Sequence, residues 1–355
     1  MKKLLYFMAA ILGLTAVLGL ATWRLSAAQG VKTTSNTLTI YNWGEYIDPA
    51  LITKFEKESG YHVNYVTFDS NEAMYEKVKQ GGTAYDIVVP SEYMVQKMAS
   101  EGLLQKLDHS KIKGLDNDAP NLLNAKFDPH NTYSVPYFWG TLGIVYNDKT
   151  IKNPPRTWAD LWSSHYKNSI LLTDDTRDVM AMGLIATGSS VNSTNTTEVN
   201  RAYQKLLQLT PNVKAILGDE IMNYMTDNET PLAVVYSGQA EEMTSENSHL
   251  HYVIPKVTNI WYDNLAIPKT AKNVKAAYAF INFMQEPQNA ADNADYVGYS
   301  TPNSKALKLL SKAERDDKEY YPDESVIAGD EAYTNLSQSW TQRYNDLYLQ
   351  FKMNK

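Results

Sequence analysis

LTIYNWGEYIDPALITKFEKESGYHVNYVTFDSNEAMYEKVKQGGTAYDIVVP, residues 38–90, alternates strand and helix signals at short spacing. Leu38–Asn42 alternates like a strand. Asp48-Pro49 opens a helix, with the aspartate as N-cap and the proline in the first turn. Leu51, Ile52 and Phe55 give that helix an apolar face, and Gly60 stops it. His62–Phe68, rich in Val and Tyr, predicts a second strand. Ser70 or Asn71 caps a second helix carrying Met74, Tyr75 and Val78, which ends at Gly81-Gly82. Tyr85–Val89 predicts a third, largely apolar strand. A β-α-β-α-β run with short, right-handed connections predicts a parallel sheet covered on both faces.

The alternation continues more loosely downstream. Gly143–Tyr146, Ser169–Leu172, Leu232–Tyr236, Leu250–Ile254 and Asn264–Pro268 read as strands. Thr157–Trp162, a segment from Asp174-Asp175 to about Thr187, Glu198–Leu209 and Asn273–Gln285 read as helices. Two α/β lobes fit this length better than one sheet. In open α/β sheets, ligands bind outside the carboxyl ends of strands. Trp43, Ser91 and Tyr93 lie at such ends in the first half, and Asp174, Asp175, Tyr236 and Ser237 in the second. A cleft between lobes would bring the two sets together.

Bulk composition narrows the chemistry. The 355 residues are 43% hydrophobic and 21% charged, an ordinary globular balance. A formal net charge of −7 argues against a nucleic-acid partner, which needs a basic stripe. The absence of cysteine removes disulfides, thiolate metal sites, cysteine catalysis and a lipid-modified N-terminal cysteine. His249 and His251 are two apart in polar sequence, a poor zinc signature. There is no nucleophile-elbow frame and no phosphate-cradling glycine loop, and no metal or cofactor is implied.

Lys2 and Lys3 precede an apolar run from Leu4 to about Trp23, and Ser26-Ala27-Ala28 follows as a small-residue cleavage site. Residues 1–28 read as a signal peptide or N-terminal membrane anchor. The run is longer than the usual ~7–15-residue apolar core of a signal peptide, which favours the anchor. Residues 29–37 read as a polar tether. The rest of the chain is then extracytoplasmic, periplasmic or at the cell surface.

Four segments set aromatic and acidic residues side by side at what read as strand ends: Asn42-Trp43-Gly44-Glu45-Tyr46, Ser91-Glu92-Tyr93, Asp174-Asp175-Thr176-Arg177-Asp178 and Trp261-Tyr262-Asp263. Ring faces attract cations, and carboxylates accept the hydrogen bonds of ammonium groups. The same ingredients also suit a sugar. Asp174 or Asp175 reads first as a helix cap, but one cap needs one acid and this segment has three. An acid inside the apolar strand at Asp263 needs a partner.

These residues resemble the extracytoplasmic polyamine-binding proteins of ABC transporters, the spermidine/putrescine-binding PotD type. The similarity runs from about Leu38 onward. It is carried by Tyr41-Asn42-Trp43-Gly44-Glu45-Tyr46, Ser70–Tyr75, Tyr85–Ser91, Leu171–Asp175, Leu265–Pro268 and Gly298–Asn303. The resemblance implies a two-lobe periplasmic-binding-protein fold, type II-like, with the ligand cleft between lobes 38–141 plus 264–307 and 142–263 plus 308–355. It implies that Trp43 and Tyr46 wall a methylene chain, Glu45 meets an amine, and Ser91 and Tyr93 supply a hydroxyl and a ring. Asp175 and Asp178 would clamp one terminal ammonium, Trp261 would pack on the chain, Asp263 would meet another amine and Tyr299 would close the pocket. Tyr236 stands where the family usually has a tryptophan, Asp178 where it has a glutamate and Gly44 where it often has a threonine. A late glutamine contact of the family has no counterpart in the divergent stretch near Tyr333.

The implied protein is a monomer that passes a polyamine to a membrane permease and catalyses nothing. An open, wet cleft that closes on the cation is expected, because burying several unpaired acids is costly. Three other readings compete. An extracellular carbohydrate-active hydrolase would use the same acids and rings. An adhesin would merely display the fold. A binder of choline would need rings more than acids.

Overall fold

The structure, a computed structural model, describes residues 36–355. The expected export or anchoring segment, and the tether as far as residue 35, lie outside the described residues. Among the described residues no helix is long and apolar enough to cross a membrane.

The opening unit forms as its sequence reads. β1 (Thr37–Trp43), α1 (Pro49–Ser59), β2 (His62–Phe68), α2 (Asn71–Gln80) and β3 (Ile87–Val88) follow in order. β1 pairs in parallel with β2 from Thr37↔His62 to Trp43↔Phe68, and with β3 at Ile40↔Ile87. Asp48 caps α1 by accepting the Ala50 N–H at 2.8 Å, and Ser70 caps α2 by accepting that of Ala73 at 3.2 Å. Gly60 ends α1 at φ +74°, a left-handed conformation that glycine adopts without steric cost. Alternation along β1 sends Leu38 and Ile40 to one face, among Leu51, Phe55 and Ile281, and Tyr41 to the other, among Phe68, Met74 and Met94. Both faces are therefore covered.

The chain continues through α3 (Glu92–Ser100), β4 (Ser134–Asn147), β5 (Ile170–Thr173), α4 (Thr176–Ala186), α5 (Thr196–Leu209), β6 (Val213–Leu217), α6 (Glu220–Thr226), β7 (Leu232–Tyr236), α7 (Ser237–Glu246), β8 (Leu250–Val253), β9 (Ile260–Ala266), α8 (Val274–Met284), α9 (Pro287–Val297) and, after short helical turns, α10 (Gln338–Met353). The strand order is β2-β1-β3-β9-β4-β7-β5-β6, with β8 also beside β4. Parallel pairing holds only among β1–β3 and β5–β7; β4, β8 and β9 run antiparallel to their neighbours, so the sheet is mixed.

β4 joins the two halves. Its residues 134–141 pair with β9, and 142–147 pair with β7 and β8. The second half is a sandwich of its own. One face packs Leu142, Ile144 and Leu172 against Val179, Leu206 and Phe351; the other packs Val145 and Ala233 against Met225 and Met243. The acid–aromatic segments sit where the two halves meet. Trp43 ends β1, Ser91 follows β3 and Asp174 follows β5, whereas Trp261, Tyr262 and Asp263 lie inside β9 rather than at a strand end.

Candidate functional site

Two buried carboxylates anchor the site, one from each side. Asp263 lies on β9 at 7% exposure, and Asp178 lies in the first turn of α4 at 1%. Period-two alternation puts Trp261 on the same face of β9 as Asp263. The Asp263 oxygens accept from Tyr46 OH at 2.6 Å and Ser91 Oγ at 2.6 Å. Those of Asp178 accept from Tyr236 OH at 2.5 Å and Tyr333 OH at 2.7 Å.

Four aromatic rings connect the acids edge to face. Tyr46 meets Tyr299 at 5.4 Å, Tyr299 meets Trp261 at 5.3 Å, and Trp261 meets Tyr236 at 6.4 Å between centroids. The chain thus begins at a phenol bonded to Asp263 and ends at a phenol bonded to Asp178. Two glycines make room for it. A Cβ on Gly238 would come within 2.1 Å of the Tyr299 ring, and one on Gly140 within 2.5 Å of the Trp261 indole. The Trp261 Nε1 donor is buried without a partner in the protein.

Burial pushes the Asp263 carboxyl up to about 6, although its Ser91 and Tyr46 hydrogen bonds work against this. Burial, aided by the charge of Asp175, pushes Asp178 up to about 7. An open, wet cleft is not what this structure shows. The halves are closed on each other, with Tyr299 against Gly238 and the Arg177 guanidinium 5.9 Å from the Tyr93 ring. The hydroxyl donors explain how the acids tolerate burial, since a carboxylate holding two hydrogen bonds is partly compensated for lost water.

The three acids of the 174–178 segment have three separate tasks. Asp175 caps α4, its Oδ1 accepting the N–H groups of Arg177 at 2.7 Å and Asp178 at 3.0 Å. Asp174 is exposed and pairs with Lys352 of α10 at 2.5 Å. Asp178 alone is bonded to the ring chain. Ser91 holds the N-cap position of α3 but makes no cap bond; its hydroxyl is turned to Asp263, held there by Asn71 Nδ2 at 3.0 Å.

Three expected residues stand further out. Trp43 donates its indole N–H to the Val89 carbonyl at 3.0 Å and packs on Phe68 at 4.5 Å. Glu45 is exposed, at a left-handed φ of +47°. Tyr93 donates to Glu72 at 3.2 Å.

Two residues at the site were not singled out from the sequence. Tyr333 reaches Asp178 as described. Glu92 is 1% exposed and accepts two backbone N–H groups; burial raises its carboxyl to about 8. Glu92 sits inside a quoted segment, and its signal there is an acid three residues past the expected strand end at Val89, flanked by site residues. Tyr333 offers no local signal.

The sequence signature of the bacterial extracellular solute-binding protein family matches residues 50–320. The spermidine/putrescine-binding periplasmic protein of Salmonella typhimurium is 43% identical over 323 residues, which cover 90% of this chain and 92% of that one. The crystal structure of the spermidine/putrescine ABC transporter substrate-binding protein PotD of Streptococcus pneumoniae, in complex with calcium and HEPES, superposes with a TM-score of 0.84 at 52% identity, covering 90% of this chain and 99% of the other. A putative spermidine/putrescine ABC transporter protein of Listeria monocytogenes gives 0.85 at 54% identity, covering 90% and 100%.

Proposed function

Since this chain belongs to the bacterial extracellular solute-binding protein family, we propose that it captures a linear polyamine, spermidine or putrescine, outside the cytoplasmic membrane and delivers it to an ABC permease. The observation that carries the reading is the pair of buried acids at the two ends of a four-ring aromatic chain. A polyamine carries ammonium groups separated by methylenes. Asp178, with Asp175 behind it, takes one terminal ammonium, and Asp263 takes another amine. Trp261, Tyr46, Tyr299 and Tyr236 cover the methylenes, and Trp43, Glu45, Ser91 and Tyr93 complete the walls and rim. Ammonium groups donate the kind of hydrogen bond that the phenol and serine hydroxyls now give the two acids. Each carboxylate can accept further hydrogen bonds beside these, so an entering ammonium joins the hydroxyl donors and brings opposite charge.

Each cation–π contact contributes ~0.5–2 kcal/mol, and micromolar to nanomolar binding needs roughly −8 to −12 kcal/mol. Several contacts must act together, which a closed site permits. The lobes are taken as 38–141 plus 264–307 and 142–263 plus 308–355, with a monomer as the working unit. The N-terminal segment serves export and, if uncleaved, holds the protein at the membrane. Nothing in the comparisons favours the hydrolase reading.

Calorimetric titration of the full chain in mild detergent with putrescine, spermidine, spermine and choline tests this. Micromolar or tighter binding of a linear polyamine, with choline inert, is the expected result. Heat from choline alone, or from none of the four, overturns it.

A further inference from the structure

Glu92 is a buried acid for which the polyamine reading assigns no task. It stands in the first turn of α3, where a carboxylate ordinarily serves the helix N-terminus from the surface, yet it is 1% exposed. Its position along the edge of β9 explains why. β3 pairs with β9 at Val88↔Ala266, and the Asn264 N–H continues the ladder to the Pro90 carbonyl at 3.0 Å. There the main chain turns into α3 and can offer no further carbonyl. The Glu92 side chain takes over: its Oε2 accepts the next outward N–H, that of Tyr262, at 3.0 Å. One step further, the Ile260 N–H bonds to the Glu331 carbonyl at 3.3 Å. Glu92 thus splices the edge of β9 from one chain segment to another.

Its second oxygen fastens the incoming segment. Oε1 accepts the Tyr333 N–H at 3.1 Å. From there Tyr333 extends its hydroxyl 2.7 Å to Asp178 and lays its ring 4.4 Å from the Arg177 guanidinium. The segment around Tyr333 is held by side chains on both sides of the site. Gln96 on α3 accepts the Asn335 N–H at 2.8 Å, and Asn192 accepts that of Thr334 at 2.8 Å. Among the described residues, the Glu92 bond is the one that holds the Tyr333 backbone N–H itself.

We propose that Glu92 is a positioning residue of this site: by clamping the backbone of Tyr333 to β9 it fixes the Tyr333 hydroxyl on Asp178, and it sets polyamine affinity through Tyr333 without touching the ligand. The inference rests on the polyamine reading. A glutamine in its place keeps the shape but has one acceptor oxygen, and its NH2 group must face one of the two backbone N–H donors, which then loses its partner.

The test is a double-mutant cycle on the full-length protein, with spermidine and putrescine affinities measured by calorimetry and melting temperatures recorded alongside. Glu92→Gln is expected to weaken binding ~10-fold in the wild-type background, the loss of one buried hydrogen bond. In the Tyr333→Phe background, where the hydroxyl is already gone, the same change should cost less than about 2-fold. A purely structural role would lower the melting temperature and cost the same affinity in both backgrounds. Additive losses, or wild-type affinity in Glu92→Gln, overturn the proposal while leaving the polyamine reading intact. Absence of polyamine binding by the wild-type protein overturns both. If Glu92→Gln does not fold, Glu92→Asp, which keeps the carboxyl group and shortens its reach, completes the same cycle.

Discussion

Asp178 and Asp263 hold their protons more tightly than ordinary carboxylates because burial penalises the charged form, to about 7 and about 6 respectively. An acid whose pKa is raised on folding favours the fold fully below its unfolded value, near ~4. That contribution is lost as the pH rises through the folded value. Without polyamine, these two groups therefore favour the fold most at about pH 4 and least above about pH 7. A bound dication or trication reverses the preference, because it stabilises the charged form. The polyamine-induced rise in melting temperature is expected to be larger at pH 8 than at pH 5, and affinity should fall as the pH drops from 8 through 6. The ligand's amines, near ~10 like a lysine, stay charged throughout. Equal thermal shifts at the two pH values would count against both acids. Asp263→Asn, which keeps the shape and removes the charge, should weaken binding at least ~10-fold at pH 8 and flatten the part of the pH profile near 6.

At the scale of elements, glycines separate the site from the core. Gly238 lies in the first turn of α7, and a methyl group there would reach 2.1 Å from the Tyr299 ring. Gly183 lies in α4, and a methyl group there would meet the Ala202 carbonyl of α5 at 2.8 Å and Leu206 at 2.8 Å. Gly238→Ala is expected to weaken polyamine binding by displacing Tyr299, with little change in urea stability, since an alanine favours a helix. Gly183→Ala should do the reverse, lowering stability by about 1–3 kcal/mol through overpacking and leaving affinity unchanged. Urea titration and calorimetry on the two variants, giving the opposite assignment, would refute it.

The same scale shows where elements were illegible. The span from Ser134 to Asn147 reads as a strand only from Gly143 to Tyr146, because Pro136 and Gly140 interrupt the pattern before it. In the structure Pro136 lies at a register shift against β9. Gly140 and Gly143 are required because the Trp261 and Tyr252 rings occupy the places their side chains would take. β6, α6 and α7 also escaped. α7 buries Ala240 and Met243 among polar neighbours, too few apolar residues to show a helical period. β6 shows no alternation, since four of its five residues are half-buried.

At the scale of the molecule, the acids of both halves and the net charge of −7 act together on a cation before contact is made. Association with a polyamine should slow as salt rises from about 0.05 to 0.5 M, where the Debye length shrinks to a few ångströms. Dissociation of the closed complex should change less, because buried pairs are poorly screened. Stopped-flow rates that respond equally in both directions would contradict steering by the whole molecule.

The residues themselves determined the opening β-α-β-α-β unit, its caps at Asp48 and Ser70, the absence of thiol chemistry, and the pairing of acids with rings in four short segments. These depend on local period, capping chemistry and composition, which neighbours along the chain can express. Tertiary structure alone decided which acid does what: Asp175 caps a helix, Asp174 pairs with Lys352, and Asp178 faces the rings. It also decided that Ser91 gives up its cap for Asp263, and that Glu92 and Tyr333 join the site at all. The physical reason is distance along the chain. A carboxylate's role is set by the donor that reaches it in space, and for Asp178 and Glu92 that donor arrives from the Tyr333 segment, which no local period connects to them.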